Sequence, residues 1–345
     1  MKPIDLRSDT VTQPTDTMRT AMAQAEVGDD VLEEDPSIHR LQNAAARKTG
    51  KEEALFVASG TMGNLVGVLT HCGRGDEIIL GDRSHIFLNE VGGIAALGGV
   101  HPRTLGNRED GTLPLAALEN AVRHDDLHYP PTRLICLENT HNFCSGAALS
   151  PQYMEDVARF AKQHALKVHL DGARIFNAAA ALAVDVAELT RHADSVMFCL
   201  SKGLSAPVGS LICGSREFIG RARKIRKMVG GGMRQAGHLA AAGIVALDQL
   251  VDRLKQDHDH AKKLAHGLAA IAGIELALDR VQTNIVFFSL NHPRVTPETF
   301  LRELETRQVK LFMTGPAIFR AVLHREVSEE QVDCVLDAVG AILNS

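Results

Sequence analysis

Tryptophan is absent from the 345 residues, and two tyrosines and twelve phenylalanines bring the aromatic share to only 4%. A protein that stacks nucleic-acid bases draws on aromatic faces, so this scarcity argues against one. Positive charge is not in excess either. Thirty-seven Lys and Arg stand against forty-two Asp and Glu, for a net charge of -5. No basic surface therefore advertises nucleic acid or an anionic membrane. No run of about 18 apolar residues occurs, which predicts no membrane span. The opening MKPIDLRSDT has no apolar signal segment. None of the six cysteines forms a CxxC pair, and Cys136, Cys199 and Cys213 sit inside apolar runs, where Cys behaves as a small core residue. These features predict no disulfide framework and a cytoplasmic chain.

What is present is an ordinary globular balance, 45% hydrophobic and 23% charged. The length suits one large and one small domain. Residues 1–14 are polar with short apolar runs and read as an extended arm. Asp35-Pro36 opens a helix that ends near Gly50. Short apolar runs follow at Ala54–Ala58, Glu77–Leu80, Leu134–Leu137, Lys167–Leu170, Ser195–Leu200 and Ser210–Cys213. Helical stretches such as 61–72 and 151–164 lie between several of them. That alternation predicts an α/β fold: a large domain with a mainly parallel, mixed sheet flanked by helices. Gln235 to about Ala270 predicts one long helix, or a broken one. Strands at Asn284–Leu290, Val309–Met313 and Ile318–Leu323, with helices from Thr296-Pro297 and Ser328, predict a small C-terminal α+β domain. The expected division is an arm over 1–14, a large domain over 15–245, and a bridging helix with the small domain over 246–345.

Chemistry is suggested by two strand ends. Lys202 is read as ending the strand that begins with the apolar run Ser195–Leu200, and Asp171 closes the run Lys167–Leu170. Open α/β sheets bind ligands at the carboxyl ends of their strands. Alone, Lys202 reads equally as a solvated lysine, and Asp171 as a turn aspartate or helix cap. Together they offer an amine and a carboxylate. Pyridoxal phosphate needs an amine for its aldehyde and an anion for its pyridine nitrogen. Ser59-Gly60-Thr61, between a strand and a helix start, could supply N–H groups to a phosphate, though any tight turn there would look the same. Gly230–Gly232 lacks the strand–GxGxxG–helix context of a dinucleotide site. His258 and His260, two apart on a predicted helix, do not share a face. No metal site is expected.

The segments LRSDTVTQPT (6–15), GDDVLEEDP (28–36), SGTMGN (59–64), LENTHN (137–142), HLDGARIFNA (169–178), CLSKGLSAPVGS (199–210) and KMVGGGMRQAG (227–237) carry a resemblance. Seven motifs in order, over residues 4 to about 330, resemble the low-specificity L-threonine aldolase family, whose fold is similar to that of aspartate aminotransferases. The resemblance implies that Lys202, with Ser201 beside it, anchors the cofactor's aldehyde and that Asp171 faces the pyridine nitrogen. It implies a phosphate loop at Ser59, Gly60 and Thr61, and a histidine stacked on the ring at His85. His128 would lie near the substrate hydroxyl; it otherwise reads as a loop histidine. Arg174, Arg320 and Ser8 would hold the substrate carboxylate, for which the planar guanidinium is suited. Arg234 would reach the cofactor phosphate of a neighbouring subunit, in a homodimer or homotetramer. Lys227 has no clear role, and both it and Arg234 fit a solvated basic face.

The implied reaction is reversible cleavage of L-threonine or L-allo-threonine to glycine and acetaldehyde, the work of an aldehyde-lyase. His85, His128 or water would take the β-hydroxyl proton. Leu32-Glu33 before EDP, the segment FCSGAALS after ENTHN, and Ala321 after Arg320 depart from the family pattern. They bear on the substrate entrance, so serine or phenylserine could be accepted. Transamination or β-elimination on the same cofactor is one rival. A non-catalytic nucleotide-binding α/β protein is another.

Overall fold

A computed structural model describes residues 3–344. Its large sheet has seven strands, in spatial order Glu53–Val57, Ser210–Gly214, Ser195–Cys199, Lys167–Asp171, Thr132–Glu138, Glu77–Gly81 and His101–Leu105. Pairings from Ser195–Cys199 outward to His101–Leu105 are parallel, whereas Ser210–Gly214 runs antiparallel to both neighbours. Glu77–Gly81, Ser195–Cys199 and Ser210–Gly214 are buried along their whole length, and Lys167–Asp171 and Thr132–Glu138 at all but one residue each, as expected where helices cover both faces. Because the central strands point the same way, Asp171 and Glu138 end at one edge of the sheet. The loops after Gly81 and Cys199 leave from that edge too.

Helix boundaries follow from local chemistry. Asp35 accepts from the Ser37 and Ile38 N–H groups with Pro36 in the first turn, and Gly50 closes that helix at φ 63°. Ser59 caps Gly60–His71 through the Met62 N–H. Ser328 and Gln331 form the expected reciprocal cap of Glu329–Leu343.

The stretch read as one long helix or a broken one is broken, into Gly237–Gln249 and Leu254–Ala269. The first packs on the helices Asp16–Ala23 and Pro36–Thr49, the second on Ile175–Leu182 and Glu329–Leu343, so the chain turns between them to serve different partners. The expected strand Val309–Met313 is split. Val309–Lys310 pairs in parallel with Ile4–Asp5, and Phe312–Gly315 pairs with Ile318–Val322 in a four-stranded antiparallel sheet. The N-terminal arm is therefore not merely extended: it is stitched into the small sheet region. Met1 and Lys2 of that arm lie outside the described residues. Leu6 is buried in the C-terminal apolar cluster, and Leu6 O accepts from the Val322 N–H at 2.8 Å. A second correction concerns Lys202. The strand before it ends at Cys199, so Lys202 stands in the loop beyond rather than on the strand's last residue.

Candidate active site

The strand ends, the N-terminal arm and the small sheet meet around a cavity of about 160 Å³. It is lined by Ser8, Thr10, His85, Asn89, Glu138, Asn142, Asp171, Ala173, Arg174, Lys202 and Arg320. Six residues singled out from sequence thus face one space: Ser8, His85, Asp171, Arg174, Lys202 and Arg320.

Asp171 is buried at its strand end. Its Oδ1 accepts from the Ala173 N–H at 3.1 Å and its Oδ2 from Asn64 Nδ2 at 2.8 Å. Lys202 is half-buried, and its carbonyl accepts from the Ser205 N–H at 2.8 Å and Thr12 Oγ1 at 3.2 Å. These bonds fix the loop and leave the amine to the cavity. His85 opens the short helix His85–Leu88, and its N–H donates to Glu138 Oε2 at 2.7 Å. Its Nδ1 lies 2.8 Å from Glu90 Oε1. Burial works to lower the proton affinity of His85, but the Glu90 hydrogen bond and the Asp171 and Glu90 charges outweigh it and hold the imidazole above its ordinary value. Polar atoms of His85, Glu90 and Asp171 lie within 4.8 Å of one another.

Two guanidinium groups form the opposite wall. Arg174 Nε and Nη2 each donate to Asp9 at 2.7 Å, both side chains being buried. That leaves Nη1 for an occupant. Burial works to raise the Asp9 carboxyl, yet the Arg174 charge and hydrogen bonds, then Lys202, hold it at about 2. Arg320 Nη1 donates to Asn142 Oδ1 and Nη2 to the Arg7 carbonyl, both at 3.0 Å. Its Nε is buried with no partner. Burial and then the like charge of Arg174 bring Arg320 down to about 10. Two neighbouring cations with spare donors suit a carboxylate. Glu138 ties both walls together, because it also accepts from the Asn142 N–H at 2.8 Å.

Other expected residues stand apart from the cavity wall. Ser59 and Thr61 are exposed. A Cβ at Gly60 would meet Cys199 Sγ at 2.9 Å, so this helix start lies against the strand that leads to Ser201 and Lys202. Only glycine allows that approach. His128 is on an exposed loop, with Nδ1 2.8 Å from Asp126 Oδ1. Arg234 is exposed and pairs with Asp29 at 3.0 Å. Lys227 is exposed on the helix Arg216–Met228. Sequence reasoning missed Asp9, Asn64, Glu90, Glu138 and Asn142. Four of these five lie inside the motifs RSDT, SGTMGN and LENTHN, so the signal was at hand. Glu90 stood out only as a lone carboxylate in an apolar stretch.

A family model described as β-eliminating lyase matches residues 5–291. The threonine aldolase of Leishmania major has the same fold, with a TM-score of 0.86 at 21% identity, covering 99% of this chain and 100% of that one. These findings define the class: a lyase-family chain on the fold shared with aspartate aminotransferases. Closer relatives narrow it. The chain is 50% identical to a probable low-specificity L-threonine aldolase 2 of Arabidopsis thaliana, over 100% of this chain and 98% of the relative. It is 46% identical to a low specificity L-threonine aldolase of Escherichia coli O157:H7, over 95% and 96%. The chain belongs to the low-specificity L-threonine aldolase family.

Proposed function

We propose that this chain uses pyridoxal phosphate to cleave L-threonine and L-allo-threonine to glycine and acetaldehyde, reversibly. The observation that carries the reading is a single cavity lined by the Lys202 amine, the Asp171 carboxylate, the His85 imidazole and two guanidinium groups. That donor set fits the cofactor: an amine for its aldehyde, an anion for its ring nitrogen, and a flat side chain beside the ring. The buried, partnerless Arg320 Nε fits a substrate carboxylate. Pyridoxal phosphate, when bound, supplies a cationic ring that takes up the electron pair of a bond broken at the α-carbon.

The chain's own groups do the rest. Asp171 holds the proton on the ring nitrogen. Arg320, Arg174 Nη1 and Ser8 hold the substrate carboxylate and so decide which α-carbon bond is aligned for cleavage. His85 takes the proton of the β-hydroxyl on Nε2, since Nδ1 is committed to Glu90. Of the two candidate histidines, only His85 lines the cavity. Ser59, Gly60 and Thr61 at the start of the helix Gly60–His71, with Ser201, would hold the cofactor's phosphate through N–H and hydroxyl donors.

We also propose a cytoplasmic homo-oligomer, dimer or tetramer, in which a second copy brings Arg234 to the phosphate and His128 to the substrate end. Their exposure here supports that. All six cysteines are free, in keeping with a reducing compartment, and no helix among the described residues is long and apolar enough to cross a membrane. Two apolar clusters support a large and a small domain, and since Ala246, Leu247, Leu250 and Leu254 belong to the first and Ala261–Leu268 to the second, we place the division between 254 and 261 rather than at 245/246. The test is acetaldehyde release from threonine with cofactor present and no keto acid. Turnover that requires a keto acid would instead indicate transamination, and the same assay with phenylserine and serine sets the substrate range.

A further inference from the structure

A buried hydrogen-bond chain runs behind Asp171, and the scheme above makes no use of it. Asn64 is fully buried on the helix Gly60–His71. Its Nδ2 lies 2.8 Å from Asp171 Oδ2 and 2.8 Å from Glu90 Oε1. Its Oδ1 lies 3.1 Å from His169 Nε2. His169 Nδ1 is 2.8 Å from Ser195 Oγ, which is 2.8 Å from His71 Nε2.

The direction of every bond follows from the first. Ionised carboxylates only accept, so the amide nitrogen of Asn64 faces them and its oxygen faces His169. That oxygen must accept, which places the His169 proton on Nε2. His169 is neutral, because burial brings it down to about 4 against the pull of Asp171. Its Nδ1 therefore accepts the Ser195 hydroxyl proton. Ser195 Oγ then accepts from His71, whose imidazole is neutral as well: burial first, then His169 and nearby cations, bring it to about 3. One arrangement satisfies every member, and such a network fixes its side chains rigidly.

We propose that Asn64 is a positioning residue whose two amide hydrogens keep Asp171 and Glu90 ionised side by side, with His169 and Ser195 locking it in place. This rests on the reading of Asp171 as the partner of the cofactor's ring nitrogen. Two carboxylates in one buried corner repel each other. Glu90 registers this, since burial and then the Asp171 charge raise its proton affinity, while hydrogen bonds from His85 and Asn64 oppose the rise. Remove the shared donor and the pair takes up a proton. The ring nitrogen or His85 then loses one unit of facing negative charge. Lys202 is the cation whose charge opposes the two carboxylates at His85.

The test compares holoenzymes of the parent, Asn64→Ala, Ser195→Ala and Asn64→Ala combined with Glu90→Gln. Loss of hydrogen bonds to a charged group is expected to lower kcat of Asn64→Ala about 10- to 100-fold. KM for threonine should stay within about threefold, because the interaction acts in the transition state rather than on binding. The pH midpoint of the bound cofactor's visible absorption band should move to lower pH, as a facing anion is lost. Ser195→Ala keeps both carboxylates' donor and frees only the His169 tautomer. A loss of about three- to tenfold is expected there, and it serves where Asn64→Ala does not fold. Adding Glu90→Gln removes one of the competing charges and should restore part of the lost kcat. Parent-like kcat and midpoint in both single variants would overturn the proposal, as would a double variant no faster than Asn64→Ala. A parent enzyme that binds no pyridoxal phosphate, or binds it without cleaving threonine, overturns the underlying reading instead.

Discussion

Replacing Asp9 by asparagine perturbs the carboxylate clamp through a residue outside the cavity wall. Asp9 holds Arg174 by two bonds of 2.7 Å, with both partners buried. Without the Asp9 charge, the Arg174 guanidinium has lost its anion in a dry site. Removing one partner of a buried pair costs about 3–5 kcal/mol. A second route starts from the carboxyl itself, lowered from 3.8 to about 2. That difference corresponds to about 2 kcal/mol of preference for the ionised form in the folded state. The second value is the smaller because it counts only the charge. The expected outcome is a loss of about 2–5 kcal/mol in urea unfolding at neutral pH. KM for threonine should also rise about tenfold as Arg174 loses its anchor. The pH dependence carries a sign. A depressed carboxyl contributes stability in full above 3.8 and loses it as pH falls through about 2. The gap between parent and variant should therefore narrow across that window. A gap that stays constant on acidification, or an Asp9→Asn protein as stable as the parent at pH 7, would refute the reasoning.

Arg320→Ala removes a charged donor set from the substrate wall, so KM for threonine should rise about 10- to 100-fold in steady-state kinetics; an unchanged KM takes Arg320 out of the clamp. As a base, His85 must be neutral. Although burial works to lower it, Glu90 and Asp171 hold its proton affinity above 6.5, so kcat/KM should climb with pH through a midpoint above that value. Glu90→Gln should bring the midpoint down, and a midpoint that does not move would assign the proton to another group. Gly67→Ala would place a Cβ 2.6 Å from His169 Cε1. The crowding should cost about 1–3 kcal/mol in thermal or urea unfolding, whereas an alanine variant of parental stability would mean that the ring moves freely.

The residues that chemistry requires at strand ends were legible in the sequence, because a strand end is a local feature. Lys202, Asp171 and the Ser59 helix start each sit where an apolar run stops. The partners that tune them were not legible. Asp9 and Arg174 are 165 residues apart, and Asn64 and Asp171 are 107 apart. Periodicity identifies elements but does not say which loops meet. The antiparallel strand Ser210–Gly214 had a signal that went unused. Between Cys199 and Ser210 lie ten residues with no helical pattern, and a parallel neighbour needs a crossover of about a dozen or more. His128 was read from motif position alone, which did not show that its loop is exposed and apart from the cavity of its own chain.

Borohydride reduction of the yellow holoenzyme, followed by digestion and peptide mass mapping, tests the anchor most directly. A phosphopyridoxyl group on the peptide that contains Lys202, and on no other lysine, is the expected product. Label on a different lysine, or a protein that takes up no label after incubation with pyridoxal phosphate, would contradict the assignment of the cavity.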